Sequence, residues 1–139
     1  MDRISELPTD AAELEDNFGL FDQWEDRYTY LVDLGKRLPA MSDVEKTEEN
    51  KVRGCTSQVW FVQRDARDGR LWWDGDSDAA IVRGLIAILQ VLYNGKSPDE
   101  VRATDVDAVF GRLGLEKHLT INRRNGFFAM VGRLKAWSG

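Results

Sequence analysis

Val59-Trp60-Phe61-Val62, the turn Asp65-Ala66-Arg67-Asp68-Gly69, the run Arg70-Leu71-Trp72-Trp73-Asp74 and the apolar stretch from Ala79 to Leu92 decide the fold. The two short runs are β-branched and aromatic, of strand length, and separated by a turn signal, which predicts an antiparallel hairpin. The long stretch is apolar enough to be a largely buried helix, with Ser77 able to cap it and Asp78 in its first turn. Asn94-Gly95 stops that helix.

Upstream of the hairpin, Lys46 to Arg53 is a weaker candidate for a third strand, fed by a polar, acidic loop over 42–50. Phe21, Trp24, Tyr28, Leu31, Leu34 and Leu38 recur at three- and four-residue steps, predicting one apolar face of a helix that Pro39 closes. Asp10 with Glu13 has the form of a capping box for a short helix through Leu14 and Phe18 to Gly19. Downstream, Ser97-Pro98-Asp99-Glu100 combines an N-cap, a proline at the first helical position and a glutamate at the third. Thr104 with Asp107 repeats that logic for Val106 to Leu113, and a last helix is expected over 122–136 with Phe127, Met130, Val131 and Leu134 inward. The sum is one α+β domain over residues 1–139, with helices packed on a small antiparallel sheet of about three strands.

A chain of 139 residues is long enough to bury roughly 68–70% of its unfolded surface without staples. No apolar run approaches the roughly 20 residues that a bilayer span needs, and the start Met1-Asp2-Arg3-Ile4-Ser5-Glu6 has no basic region followed by an apolar stretch. With a single cysteine besides, the expected compartment is the cytoplasm, with no membrane partner. A net charge of −5 argues against a nucleic-acid partner. The charge is uneven: residues 1–50 hold 14 acidic and 5 basic side chains, and residues 51–139 hold 10 and 14.

The one cysteine, Cys55, lies in Gly54-Cys55-Thr56-Ser57-Gln58, a polar connection leading into the apolar run at Val59. As a lone thiol it is either a small packing residue or a nucleophile. The polar setting favours the nucleophile, because core cysteines have apolar neighbours on one face of an element. Gly54 supports a tight turn or a close backbone approach, and Lys51 and Arg53 would favour a thiolate if they folded back on it. A hydrolase would need His118 as its base, at a spacing that matches no signature. One Cys and one His do not make a zinc site, no second cysteine allows a redox pair, and phosphate-loop and dinucleotide patterns are absent. What remains is a thiol that receives a group and passes it on, or an inert residue in a docking module.

Four ordered blocks resemble the SufE family of sulfur acceptors, which includes the CsdE proteins. The central block is Val52-Arg53-Gly54-Cys55-Thr56-Ser57-Gln58-Val59-Trp60, similar to the family's G-C-x-S-x-V-W signature. The others are Tyr30 to Pro39, Gly75 to Leu85, and His118-Leu119-Thr120 followed by Arg123-Arg124-Asn125-Gly126. The resemblance implies that Cys55 takes persulfide sulfur from a cysteine desulfurase, stimulates that enzyme and hands the sulfur on to a cluster-assembly scaffold. Pyridoxal phosphate is then expected only in the desulfurase, and this chain is expected to need no cofactor or metal of its own; its oligomeric state, monomer or weak homodimer, is left open.

By the same resemblance Arg123 either stabilises thiolate and persulfide charge or bonds a neighbouring loop, with Arg124 beside it as a departure that confuses the match. Phe127 stands where leucine is usual. Gly54, Ser57 and Gln58 are expected to support the loop, Ser57 and Gln58 by orienting it or by satisfying its backbone, and Asp76, Ser77 and Asp78 read either as a helix cap or as residues that recur in the motif for folding or docking. A persulfide must be shielded between transfers, so Cys55 is expected to rest against apolar cover from Trp60 or the Phe127 region.

Overall fold

Apolar residues on every side force the stretch after the hairpin into the interior, and the other elements assemble around it. A computed structural model describes residues 7–65 and 68–138, so the expectations for the first six residues and for the tip of the 65–69 turn lie outside it. Among the described residues the order is α1 (Ala11–Gly19), α2 (Trp24–Lys36), β1 (Val59–Gln63), β2 (Trp73–Ser77), α3 (Ala80–Tyr93), α4 (Pro98–Ala103), α5 (Val106–Arg112) and α6 (Ile121–Ser138). The class is α+β.

Helix α3 is buried at every position except Ala80 and Arg83. It crosses α2 at two glycines. A Cβ on Gly84 would stand 2.3 Å from the Leu31 carbonyl oxygen, and one on Gly35 would stand 2.7 Å from the Gly84 nitrogen, so neither position has room for a side chain. The α2 face turned to this crossing buries Leu31 and Leu34. The expected face is wider than the buried one: Trp24 is half-buried, Tyr28 is exposed, and Phe21 and Leu38 lie beyond the helix ends.

The sheet has two strands, not about three. Strands β1 and β2 pair antiparallel, Val59 with Ser77 through Gln63 with Trp73. The segment offered as a third strand makes a single bridge, Lys51 with Trp60, flanked by Val52 N to Val59 O at 2.9 Å and Phe61 N to Asn50 O at 2.9 Å. It ends there because Gly54 turns the chain away with φ 93°.

The second strand lies three residues later than the run Arg70 to Asp74. Leu71 is drawn instead to the loop after α3, bridging Lys96. Gly75 admits the pairing because a Cβ there would press on the Phe61 ring at 2.8 Å. Asp76, too polar to read as a strand residue, is buried because Lys46 and Arg83 approach its carboxylate at 3.5 and 3.3 Å.

The caps follow the same logic with local corrections. Asp10 caps α1 through the Glu13 amide, and Ser97 with Glu100 completes a capping box on α4. Helix α5 is capped by Asp105 rather than Thr104, whose hydroxyl donates to the Glu100 carbonyl. Ser77 ends β2 instead of capping α3, whose N-cap position, Ala79, has no side-chain cap. Helix α6 buries Phe127, Met130, Val131 and Leu134 as the spacing predicts.

Candidate functional site

The loop carrying Cys55 leaves its short pairing with β1 at Val52 and returns to the sheet at Val59. Gly54 lets it fold back onto α6, since a Cβ at this position of positive φ would lie 3.2 Å from the Ala129 Cβ. Each end of the loop is tied down. At the first, Arg133 Nη2 donates to the Lys51 carbonyl at 2.9 Å. At the second, Gln58 donates from its backbone N and from Nε2 to the Asp78 carboxylate at 3.2 and 3.4 Å, while its carbonyl accepts from Ser77 Oγ at 2.6 Å. Ser77 and Asp78 thus hold the end of the cysteine loop, while Asp76 pairs with Lys46 and Arg83.

Cys55 is half-buried, and its Sγ donates to the Gly126 carbonyl oxygen at 3.6 Å. Gly126 leaves room for this: a Cβ there would just touch the sulfur at 3.4 Å, and anything larger would occupy its place. The thiol lines a small cleft with Ser57, Val82 and Leu85 of α3, and Arg123, Phe127 and Met130 of α6. Its free volume of about 10 Å³ is on the scale of a single water. The cover is therefore Phe127 and its neighbours; Trp60 is buried elsewhere, with Lys46 Nζ 5.5 Å above its ring.

Burial pushes the Cys55 thiol above its ordinary pKa, because removing a thiolate from water is unfavourable. The cations expected to oppose this do not: Lys51 Nζ and Arg53 Nη2 pair with Glu48 at 2.9 and 3.5 Å, and together hold that carboxyl low. The resting cysteine is a shielded thiol.

Arg123 lines the cleft, and its guanidinium makes no hydrogen bond or ion pair among the described residues. The loop-bonding role belongs to its neighbour: Arg124 Nη2 donates to the Glu116 carbonyl at 2.8 Å. Ser57 lines the cleft without a hydrogen bond among the described residues, and Gln58 is the loop's anchor. His118 is exposed, stacked on Trp24 with ring centroids 4.3 Å apart, and does not line the cleft. No three His, Cys, Asp or Glu side chains gather among the described residues, and no helix is long and apolar enough to cross a membrane.

Gly126, Val82, Leu85 and Met130 were not singled out as site residues. Gly126 left a local signal, as a glycine inside a helical pattern where a close approach is one of the usual reasons; Val82, Leu85 and Met130 read only as apolar helix positions.

The profile of the SufE family, described as an Fe-S metabolism associated domain, matches residues 12–137. An uncharacterized SufE-like protein of Rhizobium meliloti (strain 1021) is 46% identical over 131 residues, covering 92% of this chain and 94% of the relative. An uncharacterized SufE-like protein of Rhizobium etli is 45% identical over 123 residues, covering 86% and 83%. The solution structure of a hypothetical protein from Thermus thermophilus superimposes with a TM-score of 0.73 at 22% identity, covering 95% of each chain, and so shares the fold.

Proposed function

Because the chain belongs to the SufE family, whose domain is associated with Fe-S metabolism, we propose that Cys55 is a transient sulfur carrier loaded by a cysteine desulfurase. The Cys55 thiolate attacks the outer sulfur of the desulfurase persulfide. One sulfur–sulfur bond forms at Sγ, the bond to the desulfurase cysteine breaks, and that cysteine leaves as a thiolate. No oxidant or reductant is consumed, since the sulfane sulfur only changes owner. The desulfurase is freed for another turnover, which is the stimulation expected. Its pyridoxal phosphate belongs to it alone, and a cytoplasmic cluster-assembly scaffold takes the sulfur onward.

The observation that carries this reading is a lone thiol seated in an apolar cleft at the tip of a tethered loop. Seating hides the sulfur, and the loop offers a way to present it. Arg123 lines the same cleft with its guanidinium unengaged, which supports a role for it in stabilising the negative charge of a thiolate or persulfide. Gly54 and Gln58 shape and anchor the loop; Ser57 lines the cleft beside the sulfur.

The test is incubation with the organism's cysteine desulfurase and cysteine, followed by intact-mass measurement. Wild type gains about one sulfur on Cys55 and raises desulfurase turnover. Cys55→Ser gains none and stimulates far less. Equal stimulation by the two proteins, with no gain of mass, would reduce the chain to a docking module with an inert cysteine.

A further inference from the structure

We propose that Trp24, Tyr28 and His118, extended by Ile121, form a docking strip for a basic surface of the protein that loads Cys55; this rests on the function proposed above. Trp24 and Tyr28 stand one turn apart on α2. The Trp24 ring stacks on His118 at an interplanar angle of 10° and meets Tyr28 edge-on with centroids 6.2 Å apart. Tyr28 is 42% and Ile121 70% exposed, so the strip leaves aromatic and aliphatic surface in water. Trp24, Tyr28 and His118 form one contiguous aromatic cluster, with Ile121 three residues beyond His118 in the chain; exposed aromatic clusters mark interaction sites, and Trp and Tyr are the usual anchors.

Two routes through the fold connect the strip to the cysteine cleft. Along α6, Ile121 immediately precedes Asn122 and Arg123, which line the cleft. Across the helix crossing, Gly35 shares the side of α2 that carries Trp24 and Tyr28, and it lies against Arg83 and Gly84. Val82 and Leu85, adjoining those two residues in α3, line the cleft as well. The His118 end of the strip, four residues before Asn122, is the part that adjoins the cleft a partner's cysteine must reach.

Charge selects the partner's chemistry. Asp22, Glu25 and Asp26 flank Trp24, are exposed, and make no ion pair among the described residues. Of the neighbouring cations, Arg27 is turned inward, Nε donating to the Phe21 carbonyl at 2.7 Å and Nη1 to the Leu113 carbonyl at 2.9 Å, and Arg124 is engaged by the Glu116 carbonyl. Lys117 and Arg123 lie at the His118 and Ile121 end, so the acidic rim is on the α2 side of the strip. Aromatic faces rimmed by unpaired carboxylates suit arginine and lysine side chains.

The experiment measures the affinity of the full chain for the organism's cysteine desulfurase, by calorimetry at low and high salt, alongside Cys55 loading by intact mass. Asp26→Lys with Tyr28→Ala is expected to bind about tenfold more weakly, the loss typical of truncating an aromatic anchor. Asp22→Lys, outside the helix, weakens binding less and reduces its salt dependence. Asp99→Lys is the control. It lies on α4, which meets Trp137 at the opposite end of α6 from Ile121, and it should bind as wild type. Strip variants that are folded by circular dichroism, yet bind as wild type to a desulfurase that loads wild type, overturn the strip alone. A wild type that neither binds nor gains sulfur overturns the strip and the carrier reading together.

Discussion

Gly126 is the seat on which Cys55 rests, and adding carbons there one step at a time separates helix stability from thiol shielding. A first carbon fits: it would stand 3.4 Å from Sγ and 3.7 Å from the Cα and Cβ of Cys55, ordinary contact distances. Gly126→Ala should therefore keep the loop seated and gain about 1 kcal/mol from helix propensity. That corresponds to a rise of roughly 3–5 °C in melting temperature for a domain of this size. Gly126→Val places carbons about 1.5 Å further out, in space the sulfur now fills, so the loop must lift. What is lost is the seating energy. Half-burying a cysteine side chain is worth about 1 kcal/mol and a weak S–H···O bond about 0.5 kcal/mol more. Near 1.4 kcal/mol per decade, reaction of Cys55 with an aromatic disulfide reagent should speed up about tenfold. Calorimetric melting and the reagent's rate at fixed pH read the two effects separately. A valine variant that reacts at the wild-type rate and melts like the alanine variant would refute the seat.

Gly84→Ala should do the opposite of Gly126→Ala, although both are glycines inside helices. Its Cβ would meet backbone, the Leu31 oxygen, at 2.3 Å, and a carbonyl cannot rotate aside, so a net loss of about 2 kcal/mol and of several degrees in melting temperature is expected. Asp76→Asn leaves Lys46 and Arg83 without their buried counter-charge; both cations are partly solvated, so the expected loss is about 2 kcal/mol rather than the full cost of breaking a buried pair. Denaturant titration checks both. The raised Cys55 pKa has a definite sign: the folded state favours the neutral thiol, so this contribution is intact below the unfolded-state pKa and is lost as pH rises through the folded one. Accordingly the reagent rate of the folded protein should go on climbing with pH after that of the urea-unfolded chain has levelled off, and coincident profiles would exclude burial as the cause.

The helices were legible because their signals are local. Ser97 to Glu100 caps whatever lies around it, and the run from Ala80 to Tyr93 is apolar on every side. Strand β2 was displaced because its residues look like a turn: Gly75 is there for the Phe61 ring, and Asp76 is tolerated by Lys46 from one loop and Arg83 from another helix. Neither fact is local. The same division holds at the site. Cys55, Gly54 and Gln58 announce themselves in one polar stretch, whereas the cleft is assembled from α3 and α6, and the loop's tether to Asp78 spans twenty residues. Charge misled in a similar way, because Lys51 and Arg53 are engaged by Glu48, three and five residues earlier in the chain.

Seating and ionisation of Cys55 are linked, and the linkage bears on how a carrier of this kind avoids wasteful chemistry. The Gly126 carbonyl accepts a hydrogen bond from the thiol but would face a thiolate oxygen-first, and the cleft around it is lined mainly by apolar side chains. Burial in that cleft raises the pKa of the seated form relative to the lifted one, and a carbonyl that accepts from the thiol but faces the thiolate acts in the same direction. By reciprocity, whatever lifts the loop lowers the thiol's pKa by the same free energy that ionisation contributes to lifting. Under the carrier reading, exposure and activation are then a single event, set off by a docking partner and backed by Arg123 at the cleft. Gly126→Val should bring the two forward together in the free protein: its reagent rate should rise, and its pH profile should also move down towards that of the unfolded chain. A rise in rate with an unshifted profile would mean that access alone, and not the Gly126 carbonyl and its apolar surroundings, keeps the resting thiol quiet.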